Sequence, residues 1–440
     1  MREMVLAEPG PIGAFKATSA PDQPSEPPKA PATLKSNMKV NGLGQDVIEA
    51  MAFLESSMIE RQARYLKDPT ADDAKFVIYH CDSSSPLCGG FGDRMNGLVT
   101  AFAFAVTTER ALLISWSRYT PLTLFLEQNL LDWEATPEVL ASLPDSQRTI
   151  ACLDGCDTML YEADVDYPER VLHIRTNVQI GGALLHNPHP NNAKYKVNLI
   201  DQRDGLFFRF MFHVLFKPSP PLEALFKPYL SMISSEVSVI GMHIRTGGDG
   251  GWYDPQFNTA SMLDTYKLYA KLLHSSVPHL AARPMRLLLV TDSGKLLESA
   301  RAVDGDIISS EGSGLPISHL DRTGANSFEG HARTFLDLLL LVHADGLVIP
   351  RSGFSEYSSA ISCAPTIVVN ALMNEGRAYR GDVTNMLTHG LCHMLPHRER
   401  GNIGGLPPDF YADMLVTAKQ AKEASSQGED LFLPGAFKYY

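Results

Sequence analysis

Short apolar strands and helices alternate strictly through the second half of this chain of 440 residues, and that pattern excludes most folds. The strands are continuous apolar runs, which is typical of a parallel sheet covered by helices on both faces. We predict strands over 237–244, 286–291, 306–309, 346–350 and 366–370, and helices over 261–275, 294–302, 331–344 and 354–362. This order predicts a doubly wound, Rossmann-like sheet.

The first half repeats the pattern less regularly. Strands are predicted over 75–80, 111–116 and 171–176, and helices over 45–67, 94–110 and 206–216. Together the halves predict an α/β fold in which two Rossmann-like, doubly wound domains face a cleft. The predicted divisions are a disordered, proline-rich tail (1–45), a first domain (46–235), a second domain (236–400) and a C-terminal helix and tail (401–440).

Composition argues against several classes of protein. The 38 Lys and Arg residues against 50 Asp and Glu give a net charge of −12, which disfavours a surface built to hold nucleic acid or anionic lipid. No run approaches the roughly 18 apolar residues of a membrane-spanning helix. Cys81 with Cys88 and Cys152 with Cys156 are close local pairs, so disulfides in an oxidising compartment and buried free thiols both remain open.

In an open α/β sheet, ligands bind beyond the carboxyl ends of the strands, so the loops there are the candidate sites. In the loop over 89–94, glycines that include Gly90 and Gly92 let the backbone approach a ligand, and Arg94 adds a fork of donors. The loop lacks the spacing of a dinucleotide fingerprint or a P-loop. A tight turn beside a surface arginine is the alternative interpretation.

A second candidate loop follows the strand over 237–244. His243 and Arg245 are two residues apart and leave the same strand face, so the arginine can hold a diphosphate while the histidine meets another part of the ligand. The alternative is an ion pair between Arg245 and Asp249 that only fastens the loop.

A third candidate loop runs from the strand over 346–350 directly into a helix. Ser352 is predicted to cap that helix, which leaves the N–H groups of Gly353 and Phe354 as an anion seat. A plain helix cap with no ligand is the alternative.

Four sequence blocks together resemble the fucosyltransferase superfamily, which includes protein O-fucosyltransferases, α1,2- and α1,6-fucosyltransferases and plant xyloglucan fucosyltransferases. The blocks are GGFGDR before an alanine-rich helix, HxRxGxD after a strand, VTDS at a strand end, and DLLLLVHADGLVIPRSGF. The resemblance implies a GT-B fold with an acceptor-side first domain and a donor-binding second domain. It also implies GDP-fucose as the donor and a glycan or protein hydroxyl as the acceptor.

The resemblance further implies roles for single residues. Arg245 matches the arginine that binds the β-phosphate of GDP-fucose and supports the departure of GDP. Thr246 stands where some members carry a second arginine, which favours likeness to the O-fucosyl branch. The other matches are the guanine or ribose contacts His243 and Asp337, the diphosphate cradle Ser352, Gly353 and Phe354, the donor-side pair Asp292 and Ser293, and the loop over the donor's sugar with Gly90, Gly92 and Arg94.

Sugar transfer from a nucleoside diphosphate develops charge on the leaving diphosphate, and that charge must be stabilised. Arg245 and the N–H groups near Ser352 can do so without a metal, and no DxD sequence stands at a strand end where it would hold a divalent ion, so we expect no metal cofactor. We predict Arg245 and Asp249 as catalytic residues, and both Asp249 and Asp254 are candidates for the general base. Glu109 and Glu356 are more typical of helix-surface charges.

Two other functions remain open at this point: a GT-B transferase that uses another nucleotide-sugar, and an inactive protein that binds a nucleotide-sugar or a glycan. Proteins of the resembling family usually work in the secretory lumen behind an N-terminal anchor. We therefore expect the Golgi or ER lumen if an anchor precedes this chain, and the cytoplasm otherwise.

Overall fold

The computed structural model describes residues 42–82, 88–152, 165–178, 181–197, 200, 206–247, 262–317, 320, 328–350, 352–362, 364–372 and 380–387. All of them lie within one compact unit, Val40–Tyr440. The predicted tail, nearly all of it, and the predicted C-terminal helix fall outside the described residues, as do Asp249 and Asp254. The predicted domain boundaries remain predictions.

Strands and helices alternate along the described chain as the sequence predicts. The strands are β1 (Phe76–Cys81), β2 (Ala111–Trp116), β3 (Leu126–Gln128), β4 (Gln147–Cys152), β5 (Val171–Thr176), β6 (Phe216–Pro218), β7 (Ser238–Ile244), β8 (Met285–Thr291), β9 (Gly346–Pro350), β10 (Thr366–Leu372) and β11 (Arg380–Leu387). The helices are α1 (Gly42–Lys67), α2 (Phe91–Thr107), α3 (Pro137–Ala141), α4 (Gly181–His186), α5 (Pro190–Lys194), α6 (Leu206–Leu215), α7 (Pro220–Leu230), α8 (Leu263–Ser276), α9 (Pro278–Ala281), α10 (Gly294–Val303), α11 (Phe328–Val342) and α12 (Gly353–Ser362). None of these helices has both the length and the apolar character that crossing a membrane requires.

The first sheet is parallel and has the strand order β2-β1-β5-β4. Every residue of the central strand β1 is buried, as its continuous apolar run predicts. Helix α2 packs on one face of the sheet, against β1 and β5, while α1 contacts β2. The short strands β3 and β6 pair in antiparallel orientation and form a separate two-stranded sheet.

The second sheet has the order β11-β10-β9-β7-β8 and is parallel except for β11, which is antiparallel to β10. Four of its five predicted strands are confirmed, with ends that differ by at most two residues. The predicted strand over 306–309 is wrong, since only Ile308 forms a bridge there, to Leu288. A turn before it and a 3-10 turn at Ser310–Ser313 leave the segment too short for a ladder.

Helices from the two sheets share one continuous apolar core. The ring of Phe91 at the start of α2 meets the rings of Phe335 and Phe354 edge-on, with centroids 5.7 and 5.6 Å away. Helix α12 contacts both α2 and α6. Edge-on aromatic contacts stabilise a structure beyond the apolar area that they bury. This packing holds the carboxyl edges of the two sheets in a fixed relation.

Gly97 allows α2 to lie directly on the first sheet. A Cβ atom at this position would fall inside van der Waals contact of the Thr176 carbonyl oxygen and 2.6 Å from the Tyr79 ring. We expect Gly97→Ala to lower the free energy of unfolding by about 3 kcal/mol, since overpacked sites force backbone shifts. Urea unfolding measures this value.

The matched control is Gly305→Ala, because no atom lies within 4 Å of a Cβ built at that exposed glycine. Its free energy of unfolding should stay within about 0.5 kcal/mol of wild type. Equal stability of the two variants would contradict the close packing of α2 on β5.

Candidate functional site

Two helices begin at the same place, one from each half of the chain. A Cβ atom on Gly92 in α2 would lie 2.8 Å from the Cα of Gly353 and 3.1 Å from the N of Phe354 in α12. The two backbones therefore touch without intervening side chains. Because the first N–H groups of a helix lack intrahelical acceptors, this contact places two partly positive helix ends side by side.

The first loop is fixed by its own side chains. Gly89 has φ of 61°, a left-handed conformation that favours glycine, and the Gly90 N–H donates to Asp93 Oδ2 at 2.9 Å. A disulfide between Cys81 and Cys88 ties the loop to the end of β1. Asp93 is absent from the predicted site residues. An acidic residue in the first turn of a helix is nevertheless a sequence signal for a side chain that accepts from the backbone N–H groups at the helix start.

Arg94 lies inside the protein, with 1% of its surface exposed, so the surface-arginine interpretation is wrong. Its Nε donates to the Gly89 carbonyl at 3.0 Å and its Nη1 to the Arg118 carbonyl at 3.3 Å. The guanidinium lies 5.1 Å from the centroid of the Trp116 ring. Arg94 thus supports the glycine loop from behind, and a contact with the donor's sugar remains a prediction.

His243 is buried near the end of β7, and its ring meets the Phe354 ring at 5.3 Å. Its Nδ1 has no hydrogen-bond partner among the described residues. Burial, helped by the nearby charge of Arg245, lowers the pKa of His243 to about 3, so the imidazole is neutral at pH 7. A neutral ring of this kind offers one donor and one acceptor to a ligand.

Asp292 fastens the loop that carries Arg245. Its carboxylate accepts from the Thr246 N–H at 2.7 Å, the Thr246 hydroxyl at 3.0 Å and the Gly247 N–H at 2.9 Å. Asp249, the predicted partner of Arg245 in the alternative interpretation, lies outside the described part of the chain. Ser293 caps α10 by accepting from the Leu296 N–H at 3.1 Å. Donor contacts by Asp292 and Ser293 remain predictions.

Ser352 does not cap α12, so the predicted cap is wrong. Its buried Oγ has no hydrogen-bond partner among the described residues, and the helix begins with the Glu356 N–H donating to the Ser352 carbonyl at 2.9 Å. The hydroxyl of Ser355 instead donates to the Pro350 and Ser352 carbonyls. A buried hydroxyl without a hydrogen-bond partner costs about 1–3 kcal/mol, and a bound ligand is one way in which that cost is removed.

Asp337 lies in a buried network on α11 rather than alone. It accepts from the Ser310 hydroxyl and from Arg333 Nε at 3.2 Å, and Arg333 Nη1 also donates to the Leu315 carbonyl at 3.1 Å. Burial raises the pKa of Asp337, while Arg333 and Ser310 oppose the rise. These bonds hold the segment over 310–315 against α11, and a contact of Asp337 with guanine or ribose remains a prediction.

The two glutamates expected on helix surfaces differ in their surroundings. Glu356 is exposed on α12. Glu109 lies just after α2 and joins Lys194 and Tyr195, each at 2.5 Å. It therefore fastens α5 to the end of α2 and is far from being a free surface charge.

The buried His243 makes stability depend on pH. Because its pKa falls from an ordinary 6.5 to about 3 on folding, its contribution to stability is complete above pH 6.5 and is lost as the pH falls toward 3. Each pH unit in that range costs about 1.4 kcal/mol. Between pH 7 and pH 5, the free energy of unfolding should fall by about 2 kcal/mol less in His243→Gln than in wild type. Urea unfolding at the two pH values measures this difference.

Other buried histidines act in the same direction in both proteins, so the difference isolates His243. His213→Gln is the control, since that side chain is 56% exposed. An unchanged pH slope in His243→Gln would show that the ring titrates normally.

No protein-family model and no curated protein matches this chain in sequence. Several solved structures resemble it. A mutant of FUT1 from Arabidopsis thaliana in complex with GDP has a TM-score of 0.52 and 15% identity, over 76% of this chain and 80% of that one. Fucosyltransferase NodZ from Bradyrhizobium has a TM-score of 0.39 and 15% identity, over 68% of this chain and 95% of that one.

POFUT1 in complex with GDP-fucose has a TM-score of 0.37 and 11% identity, over 68% of this chain and 99% of that one. The first of these likenesses establishes the fold and agrees with the two sheets described above. The chain has an α/β fold of the GT-B type, built on two Rossmann-like sheets.

Proposed function

We propose that this protein is a glycosyltransferase that moves fucose from GDP-fucose to a glycan or protein hydroxyl with inversion. The observation that carries the proposal is a pair of buried polar atoms without a hydrogen-bond partner among the described residues, Ser352 Oγ just before α12 and Nδ1 of His243, whose ring packs against Phe354. The fold shared with a FUT1 mutant that holds GDP supports it.

The start of α12 suits the diphosphate better than the start of α2 does. In α2, the carboxylate of Asp93 already accepts from the N–H of the glycine turn. In α12, the acidic residue of the first turn is Glu356, which is exposed, and Ser352 makes no side-chain cap. The N–H groups of Gly353 and Phe354 are therefore the proposed seat for the diphosphate, with the Ser352 hydroxyl beside them.

The neutral His243 and the Phe354 ring suit the nucleoside end. Phe354 is only partly buried, so one side of its ring can pack against a flat base or a ribose. A neutral imidazole can bond to a hydroxyl or a ring nitrogen without a charge that would have to be compensated. His243 is thus proposed to fix the orientation of the donor.

Arg245 is the proposed electrophilic residue. It follows β7 directly on the strand face of His243, and the three bonds from its loop to Asp292 hold the backbone on which it stands. As the bond between the anomeric carbon and the β-phosphate oxygen breaks, a guanidinium fork can neutralise the developing charge at two oxygens. The acceptor hydroxyl attacks from the opposite face of the sugar, which gives inversion.

We also propose the Golgi or ER lumen as the working compartment. The disulfide between Cys81 and Cys88 supports this, since such bonds persist in oxidising compartments and are rare in the cytosol.

Arg245→Lys tests the donor site, since it keeps the charge but loses the fork. Turnover of GDP-fucose should fall on the order of 10²-fold and GDP should bind more weakly, while the melting temperature stays near wild type. Release of GDP measures turnover, and calorimetry measures affinity for GDP, with UDP as the comparison nucleotide. Wild type should bind GDP the more tightly.

Arg283→Lys is the matched control, because Arg283 lies at the amino edge of the same sheet and donates to the Val237 carbonyl at 3.1 Å. It should keep wild-type turnover and GDP affinity. A lower melting temperature of Arg245→Lys with normal turnover per folded molecule would assign Arg245 to loop stability instead of catalysis.

Donor turnover should also persist in excess EDTA. The proposal assigns stabilisation of the leaving group to Arg245 and the N–H groups at the start of α12, and no step of it needs a metal ion. Loss of turnover in EDTA that Mn²⁺ restores would contradict the metal-free proposal.

A further inference from the structure

Four side chains form a hydrogen-bonded chain that starts at the carboxyl end of β1 and runs across β5 to the first residue of β4. His80 Nδ1 lies 2.9 Å from Asp82 Oδ2, and His80 Nε2 lies 2.8 Å from His173 Nδ1. His173 Nε2 lies 3.0 Å from Gln147 Oε1. The Ser115 hydroxyl also donates to Asp82 Oδ2, at 3.3 Å. This chain, Asp82–His80–His173–Gln147, has no part in the donor site described above.

On one face of the first sheet, three neighbouring strands each change from apolar to polar side chains, β1 and β2 at the same level and β5 one pair nearer its amino end. The face is apolar toward the amino ends of the strands, where Phe76, Ile78, Ala111, Leu113 and Val171 belong to one cluster. One step further along each strand, on that face, stand His80, Ser115 and His173. Burying polar groups is costly unless they are hydrogen-bonded, as these side chains are. Ligands of such sheets bind at the carboxyl edge, where His80 and Ser115 lie.

The hydrogen bonds define where protons lie. Gln147 Nε2 donates to the Pro144 carbonyl at 3.1 Å, which leaves Oε1 to accept from His173 Nε2. His173 Nδ1 then accepts from His80 Nε2, so His80 Nδ1 and Asp82 share one proton. Burial lowers the pKa of His80, while the hydrogen bond to Asp82 opposes that fall, and burial brings the pKa of His173 to about 4. His173 is therefore neutral near pH 7, and the one added proton that this chain holds lies between His80 and Asp82.

The chain stands next to the loop of the donor site. Asp82 follows Cys81, whose disulfide to Cys88 fixes the start of the glycine loop against the end of β1. The loop leads into α2, and α2 touches α12 at Gly92 and Gly353. Gln147, at the far end, is exposed, but at the end next to the glycine loop the Asp82 side chain is 19% exposed against 9% for His80, so there Asp82 is the group that a substrate can reach.

We propose that Asp82 takes the proton from the acceptor hydroxyl, and that His80 and His173 are positioning residues that hold its carboxyl group. The inference rests on the proposed function. The acceptor O–H bond breaks as its oxygen bonds to the anomeric carbon, and the electron pair of the anomeric C–O bond leaves with GDP. The proton enters one oxygen of Asp82, while the proton shared between His80 Nδ1 and Asp82 Oδ2 stays in place, so the charge on His80 is the same before and after the step.

The test uses water as the acceptor, because release of GDP from GDP-fucose then needs the same proton transfer. Asp82→Asn should lower kcat on the order of 10²-fold, the usual contribution of a general base. The KM for GDP-fucose and the calorimetric Kd for GDP should stay within about 2-fold of wild type, since the donor seat is untouched.

His80→Asn and His173→Gln should lower kcat by about 10-fold each without changing KM, since they move the carboxyl group and do not remove it. The matched control is His189→Asn, which breaks a similar bond between His189 Nε2 and Asp166 Oδ2, 3.0 Å long, at the start of α5. A purely structural histidine should lower the melting temperature and leave kcat alone, as expected for that control.

The outcomes separate the two proposals. If Asp82→Asn folds, binds GDP and turns over at the wild-type rate, the inference is wrong and the proposed function stands. If Asp82→Asn fails to fold, His80→Asn and His173→Gln decide, and normal kcat in both rejects the inference. If wild type neither binds GDP nor turns over GDP-fucose, the proposed function fails and the inference fails with it.

Discussion

The backbone contact between Gly92 and Gly353 determines where everything else in the site can lie. Any side chain at Gly92 would separate the starts of α2 and α12, because a Cβ there already falls within 3.1 Å of three backbone atoms. The contact brings the loop after β1 against the loop after β9. Phe91 and Phe354 meet edge-on beside it, and His243 packs against Phe354 in turn.

Around this contact, buried cations and carboxylates shape the loops, and few of them face the proposed ligand. Arg94 supports the glycine turn and Asp292 supports the loop of Arg245, while Asp337 binds Arg333 inside the second half. Since each of these groups is partnered within the protein, the described parts of these loops are held in place by the protein's own hydrogen bonds. Such preorganisation reduces the ordering cost of binding a flexible nucleotide-sugar.

The sequence predicts the regular parts of the fold well, because a buried parallel strand must be a continuous apolar run. It fails where geometry depends on distant residues. The polar strand β11 has no such run because it is an antiparallel edge, and Ser352 makes no cap, while the hydroxyl of Ser355 donates to the Ser352 carbonyl. The sequence gives no sign that His80 is a site residue, because a single histidine inside an apolar strand has no periodic pattern. Its polar neighbours come from β2 and β5, which only the fold places beside β1.

The segment around Ile308 does not form a strand, yet it affects whether the edge of the second sheet can pair with another chain. Strand β8 is the outer strand of its sheet, and the backbone of Ile308 accepts from Leu289 at 2.8 Å and donates to Leu287 at 2.9 Å. Those two bonds occupy the edge groups that would otherwise pair with a strand of another chain. An open parallel edge invites aggregation, so a single bridging residue protects this apolar sheet from adding foreign strands during folding.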